Sequence, residues 1–403
     1  PAPAVVDTLP DLIVAIDGGV AEEAVRNGYP AASVGYLTVA SVLIDLGEID
    51  RLDSERPVDP VAFRRTEEAA AVDAALPGAN VVIRTHTSAR DSFREALYEV
   101  FHDEGIDEDD GTRLLDTYEA LLALKPARPQ VCPYEHEGCE EHFKPEKGVS
   151  TCPCGKKRAI YSTDALRIHE RFHDTGSNGE AYGEVLQVWE RLILIHLLRC
   201  FERRGWIEEF TRLAFFLDGP MAVFGHPAWL SAAISTELKR LNASVRAKTG
   251  TDLNILGVEK SGTFVSHFDD IDKTETGEPR FPPRSFLLLT DRYIKERIIF
   301  STSEKRYGED TYFGRKFFYK TASGARIVAN LPFLTADQDT LDSDDTSLHP
   351  QFATVCSLLD RLVSSRFPNA LSPIVSAHAQ AAIPLHLGAK VLQQLARALM
   401  RKS

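Results

Sequence analysis

The sequence lacks two features that would place the protein in or across a membrane. None of its apolar stretches approaches the ~20 residues that a bilayer-spanning helix needs, so we expect no membrane segment. It opens with Pro-Ala-Pro-Ala rather than with a basic region followed by an apolar segment. That start argues against a signal peptide, and we expect a cytoplasmic protein.

The sequence also has fewer basic than acidic residues. The chain carries 46 Lys and Arg residues against 59 Asp and Glu residues, a net charge of -13. This balance argues against a protein that binds nucleic acid through a broad positive field. Part of the acidic excess is local, in residues 103–110 and 337–345. Any path for DNA must therefore be a local basic patch, or a partner must supply positive charge.

Cysteines are few, and four of the six lie close together in the sequence. Cys132, Cys139, Cys152 and Cys154 offer four thiolates, enough for a closed tetrahedral zinc site, although neither pair has the common C-x2-C spacing. A competing interpretation is a zinc finger built from Cys152, Cys154 and the H-x3-H pair His169 and His173. Absence of any metal is a third. We favour the four-cysteine, zinc-ribbon-like site.

The apolar periodicity predicts an α/β protein with a small insertion. Predicted strands occupy 12–16, which ends at an Asp-Gly-Gly turn, 34–46, 81–84, 213–217 and 253–258, with a hairpin at 313–320 and 326–333. Predicted helices occupy 60–75, 88–101, 112–124, 181–204, 228–248, 350–364 and 376–402. A proline-rich stretch at 125–130 marks a boundary. We divide the chain into a first core part (1–125), the cysteine-rich insertion (126–179) and a second core part (180–403).

Two aspartates share one sequence context. Asp17 and Asp218 each follow an apolar strand and precede a glycine. If the two strands are neighbours, both carboxylates reach one region of the sheet and can hold Mg²⁺ or Mn²⁺ for phosphodiester cleavage. The simpler alternative is that each Asp-Gly is an ordinary turn.

A third carboxylate is expected from the helix at 181–204. Glu190 lies on its apolar stripe, so it needs a metal, a proton or a cationic partner such as an arginine. Glu202 lies on the wetter side of the helix. Lys260 follows a predicted strand in a loop that contains glycine, where it could bind a phosphate or simply face solvent.

Taken together, these segments resemble the NurA nuclease family, and the Cys-rich stretch resembles that of a bacterial branch with a metal-binding insertion. The matching segments are 15–18, 216–220, 257–262 and 373–378. The resemblance implies a ribonuclease-H-like mixed sheet with flanking helices and an Mn²⁺- or Mg²⁺-dependent exonuclease and single-strand endonuclease acting on DNA. It further implies a homodimer that works with a HerA-type hexameric ATPase in DNA repair, end resection or anti-phage defence.

Carried over residue by residue, the resemblance assigns the catalytic site to Asp17, Glu190, Asp218, Lys260 and His378. Two departures weaken the match. The tyrosine that the family often has eight residues before the histidine is replaced by Ala370, and the 28-residue gap from Glu190 to Asp218 is longer than expected. Glu202 fits that gap better, whereas burial favours Glu190. Two other functions stay open: a non-catalytic assembly module that binds DNA or the ATPase, and a zinc-finger regulator.

Overall fold

The protein is described by a computed structural model. It covers residues 2–4, 6, 8–25, 31–46, 67–83, 86–103, 111–336, 344–363 and 381. Several sequence predictions fall outside the described residues. They concern the site residue His378, the position Ala370 and most of the acidic stretch 337–345. The predicted C-terminal helix 376–402 also lies outside them, apart from residue 381.

A mixed eight-stranded sheet forms the centre of the fold, in the order β10-β11-β12-β9-β8-β1-β2-β3. β1, β2 and β3 are antiparallel neighbours, β8 is parallel to β1, and β9 is parallel to β8. The large-sheet strands are β1 (Leu12–Ala24), β2 (Ser33–Asp45), β3 (Glu67–Pro77), β8 (Leu213–Asp218), β9 (Asn254–Glu259), β10 (Ser285–Leu288), β11 (Gly314–Lys320) and β12 (Arg326–Pro332). This arrangement confirms the predicted α/β class with its mixed sheet and the predicted β11–β12 hairpin.

β1 corrects one prediction and is central to the site. The strand does not end at the Asp-Gly-Gly sequence; it continues to Ala24, because Asp17 and Gly18 pair with Ala40 and Val39 of β2. The ladder with β8 nevertheless stops at the pair Ile16 and Leu217. β1 therefore projects past the end of β8, with Asp17 as the first residue beyond their ladder.

Two further predictions of secondary structure were wrong. Residues 67–75 were expected to be helical, but 67–77 form β3, which pairs with β2 along eleven residues. Pairing with a long neighbouring strand outweighs the helical preference of an alanine- and glutamate-rich segment. Residues 81–83, expected in a strand, are irregular and adopt no ladder.

Helices cover both faces of the sheet. The described helices are α1 (Ala89–Asp103), α2 (Leu114–Leu122), α3 (Gly179–Arg203), α4 (Leu230–Thr249), α5 (Thr263–Ile271), α6 (Asp291–Arg297) and α7 (Phe352–Leu362). The largest apolar cluster joins α1–α4 to one face, where Trp189 and Phe215 are buried. On the opposite face, Phe352 of α7 packs on Phe286 and Phe317. α3 contacts β1 and β2, which places its residues beside Asp17 and Gly18.

The insertion contains two small hairpins. One pairs β4 (Gln130–Val131) with β5 (His142–Phe143), and the other pairs β6 (Val149–Thr151) with β7 (Ala159–Tyr161). The α-helix that a zinc finger would require is replaced by two 3-10 turns, Ser162–Leu166 and Ile168–Arg171. These turns pack on α1 and α3, so the end of the insertion is continuous with the core.

The insertion is fastened to the core through the buried guanidinium of Arg94 in α1. Its Nη2 and Nε atoms donate to Asp164 at 2.7 and 2.8 Å, and Nη1 donates to Asp91 at 2.8 Å. The same group lies 4.4 Å from the ring centroid of Tyr134, within the cysteine-rich segment. A charged group this deeply buried is tolerated only because its hydrogen bonds and charge are matched.

Candidate active site and cysteine cluster

Asp17 and Asp218 meet on either side of one ammonium group. Lys260 Nζ donates to Asp218 Oδ2 at 2.9 Å and lies 3.9 Å from Asp17 Oδ2. β1 places Asp17, the end of β8 places Asp218, and Lys260 directly follows β9. The parallel pairing of these three strands thus joins residues that are about two hundred positions apart in sequence.

Gly257 allows the chain after Asp218 to cross β9. A Cβ atom at Gly257 would lie 2.6 Å from the carbonyl oxygen of Gly219. The Gly219 amide donates to the Val258 carbonyl at 2.7 Å, which fixes this crossing. Asp218 is therefore held in place by backbone contacts with the neighbouring strand.

The electrostatics around Asp17 are those of a crowded acidic site. Burial, followed by repulsion from Asp218 and Glu190, raises the pKa of Asp17 from 3.8 to about 8, although Lys260 opposes the shift. Only 3% of the surface of Asp17 is exposed. A carboxyl group in this position needs a proton or a cation beside it.

Glu190 approaches the same place from α3. Burial raises its pKa from 4.5 to about 7, against the lowering effect of Arg191, and Asp218 raises it further. The absence of a side chain at Gly18 makes room for it, since a Cβ there would lie 2.9 Å from Glu190 Oε1 and 2.6 Å from Leu186 Cδ1. The Gly18 amide donates to Asp17 Oδ1 at 2.8 Å and also contributes a hydrogen bond to Glu190.

Arg191 is a member of the cluster that the sequence did not identify by position. It is 5% exposed, it forms an ion pair with Glu190, and its Nη2 donates to the Pro220 carbonyl at 3.1 Å. Arg191 is thus the cationic partner that one interpretation of Glu190 required, while the role of Glu190 as a metal ligand stays a prediction. Arg191 also ties α3 to the chain that follows Asp218.

Glu202 lies elsewhere on α3. Its two carboxylate oxygens accept from Arg240 at 3.0 and 2.6 Å, and these hydrogen bonds lower its pKa. The structure brings Asp17, Glu190, Asp218 and Lys260 together and leaves Glu202 in a salt bridge with α4. Burial on the apolar stripe was a better guide to position than the spacing to Asp218.

A second buried ion pair beside the site also escaped the sequence analysis. Glu259, the last residue of β9, pairs with Lys316 of β11 and accepts from Asn330 Nδ2 at 2.8 Å. Lys316 lies 4.1 Å from the ring centroid of Phe264, and burial lowers its pKa. Neutralised in this way, Glu259 supports the turn that carries Lys260. No sequence pattern linked Glu259, Lys316 and Asn330, because they come from three separate strands.

The carboxylate cluster has the chemistry of a site for a hard cation. Asp17, Glu190 and Asp218 supply oxygen ligands of the kind that Mg²⁺ and Mn²⁺ prefer. Among the residues that the structure describes, however, their oxygens do not all lie within 4.8 Å of one another. Lys260 Nζ lies between the two aspartates, so a divalent cation held by this pair would have to displace the ammonium group.

The cysteines form a second, separate centre. Ligand atoms of Cys132, Cys139 and Cys152 all lie within 4.8 Å of one another, and this buried group can hold a metal ion. The Sγ atom of Cys152 lies 3.3 Å from that of Cys132 and 3.7 Å from that of Cys139. Cys154 packs against the cluster, and hydrogen bonding with Lys156 and Cys152 lowers the pKa of its thiol.

The histidines of the zinc-finger interpretation lie away from this centre. His169 Nδ1 is 3.8 Å from Asp164 in the core, and burial lowers its pKa to about 4. His173 is exposed. Two further histidines of the insertion are not part of the finger interpretation: His136 Nδ1 lies 3.1 Å from the Pro133 carbonyl oxygen, and His142 is exposed. The four-cysteine arrangement therefore fits the geometry better than the finger.

Comparison with known proteins identifies the family. No curated protein matches the chain in sequence. A solved structure described as "Crystal structure of NurA" aligns at 10% sequence identity with a TM-score of 0.28, over 95% of this chain and 86% of the other. No helix in the described part of the chain is long and apolar enough to cross a membrane. The model of the NurA domain matches residues 154–383, more than half of the 403 residues, and the chain therefore belongs to the NurA family.

Proposed function

We propose that this protein is a deoxyribonuclease that depends on Mn²⁺ or Mg²⁺. The observation that carries the proposal is the convergence of Asp17, Glu190 and Asp218, from three separate elements, at the point where β1 projects past β8. Buried carboxylates that repel one another are unfavourable without a cation, and NurA membership supports a nuclease.

The three carboxylates would hold the cation. When bound, a divalent ion activates a water molecule and offsets the charge that develops on the phosphate during hydrolysis. Arg191 pairs with Glu190 and would hold its carboxylate at the site, and Lys260, beside Asp218, would offer a positive charge to a substrate phosphate. The family resemblance adds His378 as a further catalytic residue.

We propose that the cysteine cluster binds one structural zinc ion through Cys132, Cys139, Cys152 and Cys154. Three of these cysteines are buried together and the fourth adjoins them. A closed four-thiolate site stabilises a small hairpin-rich segment that buries little apolar surface of its own.

The family resemblance also supports finer proposals. We propose exonuclease and single-strand endonuclease activity, a homodimer in the cytoplasm, and action beside a HerA-like hexameric ATPase in end resection, repair or anti-phage defence.

The direct test is cleavage of single- and double-stranded DNA with and without Mn²⁺. Asp17→Ala and Asp218→Ala should each reduce turnover at least about 10²-fold, because each removes a ligand and a charge from the cation site. Circular dichroism provides the check that both variants are folded. Full activity in either folded variant, or metal-independent cleavage, would reject the proposal and favour the non-catalytic assembly module.

A further inference from the structure

Two basic side chains, Arg191 and Lys260, form ion pairs with the carboxylates of the site, and the surroundings of these two side chains differ. Arg191 is 5% exposed and is anchored at both ends of its guanidinium, to Glu190 and to the Pro220 carbonyl. The side chain of Lys260 is 30% exposed, and its ammonium group pairs with the carboxylates of Asp218 and Asp17. Arg191 is thus a fixed part of the site, whereas among the described residues the ion pairs of Lys260 are with the two aspartates alone.

The backbone around Lys260 permits this side chain to move. It lies between the end of β9 and the start of α5, where the next two residues are exposed. Gly262 has a φ of 103°, a left-handed conformation that favours glycine. A lysine has a long flexible stem and a single compact charge, so it can change partners without a change in the fold.

The position of the ammonium group coincides with the position that a cation would need. It lies 2.9 Å from Asp218 Oδ2 and 3.9 Å from Asp17 Oδ2, between two of the oxygens that a divalent ion would take as ligands. A divalent ion and the Lys260 ammonium therefore compete for the same pair of oxygens.

We propose that Lys260 is an exchangeable counterion that occupies the aspartate pair in the metal-free protein and moves to a substrate phosphate when the divalent cation binds. This inference rests on the proposed nuclease function and adds a regulation to it. Because DNA phosphate gives the ammonium group another partner, DNA binding favours metal binding, and by linkage metal binding favours DNA binding. The affinity of the site for the divalent cation is therefore higher when substrate is present.

The test is a titration of the full-length protein with Mn²⁺ in the absence of DNA. Electron paramagnetic resonance of the free ion measures how much Mn²⁺ is bound. Lys260→Met should lower the Mn²⁺ dissociation constant about fivefold, the fold-change expected for loss of a partly exposed ion pair. Lys260→Arg, which keeps the charge, should bind Mn²⁺ nearly as the wild type does. Lys305→Met is the matched control, since it removes one lysine from an exposed pair with Asp310 outside the site.

A second measurement separates this inference from the proposed function. In the wild type, the Mn²⁺ concentration that gives half-maximal cleavage should lie below the dissociation constant measured without DNA, and in Lys260→Met the two values should converge. Equal or weaker Mn²⁺ binding by Lys260→Met, with a wild type that cleaves DNA, would overturn the counterion role alone. A wild type and a variant that both fail to bind Mn²⁺ would reject the proposed function as well.

Discussion

Asp17 shows how one side chain can link stability to function. Its pKa of about 8 lies well above the value of 3.8 for an unperturbed aspartate, so between these values the folded protein holds a proton that the unfolded chain releases. Stability that depends on this proton is present below about pH 4 and is lost as the pH rises towards 8. Glu190, with a pKa raised to about 7, acts in the same direction.

We therefore expect the metal-free protein to become less stable from about pH 5 to pH 8. Asp17→Asn should remove part of this loss and stabilise the chelator-treated protein at about pH 8 by about 1–3 kcal/mol, because it deletes a buried charge. Thermal unfolding in the presence of a chelator measures the effect. Identical pH profiles for wild type and variant would show that Asp17 ionises in the folded state without cost.

Added Mn²⁺ should have the opposite pH dependence. The carboxyl groups must lose their protons to bind the ion, so the stabilisation produced by Mn²⁺ should grow between about pH 6 and pH 8.5. The shift in melting temperature at fixed Mn²⁺ concentration reports it, with Asp218→Asn as the variant in which the shift should shrink at every pH. A shift that decreases as the pH rises would contradict carboxylate ligands.

The two glutamates of α3 provide a comparison within one helix. Glu190→Gln should reduce DNA cleavage at least about 10²-fold, whereas Glu202→Gln should change it less than about threefold and cost only the modest stability of an exposed ion pair. Steady-state DNA cleavage rates of both folded variants show which of the two glutamates the reaction needs. If Glu202→Gln were the more damaging change, sequence spacing rather than burial would be the correct guide.

The candidate site could be predicted only where a residue's own sequence neighbours reveal its environment. Asp17 and Asp218 follow apolar strands, and Glu190 lies on an apolar helical stripe, so local patterns indicated all three. Arg191 was missed because its role depends on the Pro220 carbonyl, and Lys316 because its partner lies on another strand. Contacts between distant segments have no signature in a single sequence.

Among the elements, the cysteine-rich insertion is the one whose own folding should depend on bound zinc. We expect about one zinc ion per chain, as for a closed four-thiolate site, and loss of that zinc in a Cys132→Ser/Cys139→Ser variant. Elemental analysis of the purified protein measures it. Zinc that survives this double substitution but is lost on His169→Ala/His173→Ala would restore the zinc-finger interpretation.

The contacts of Arg94 predict that loss of zinc from the insertion also destabilises the core. Tyr134 stacks on Arg94, and Asp164 accepts two of its hydrogen bonds, so unfolding of the insertion would leave a buried guanidinium partly unpaired in the core. Chelation should therefore lower the melting temperature of the whole protein as well as expose the insertion to protease. Proteolysis confined to residues 126–179, with an unchanged melting temperature, would show that the insertion and the core unfold independently.

Elements were predicted well where periodicity was strong and poorly where pairing decided the outcome. α3 and α4 agree with the sequence pattern to within two residues, since their apolar stripes are long. β3 was predicted to be a helix from composition, and β1 was predicted to stop at a glycine pair. Both errors arise because β2 offers a thirteen-residue neighbour, and ladder hydrogen bonds to it outweigh local preference.

At the scale of the whole molecule, we expect the net negative charge to weaken DNA binding. A net charge of -13 repels DNA over about a Debye length, ~8 Å at physiological salt, wherever no basic patch intervenes. We expect weak and steeply salt-dependent DNA binding by the protein alone, and stronger binding and cleavage with the HerA-like ATPase. Titration of labelled DNA at several salt concentrations, with and without that ATPase, provides the measurement. Tight binding and processive degradation by the isolated protein at physiological salt would remove the need for a partner.

The pairing of β1 with β8 has a consequence for how the protein is made. Leu12 cannot meet Leu213 until about 200 further residues, including the whole insertion, have left the ribosome. The aspartates are joined only after that closure, and Lys260 follows later still. A chain that ends just before Asp218 thus contains Asp17 and Glu190 but cannot assemble the carboxylate cluster, so such a truncated product would lack the proposed cation site.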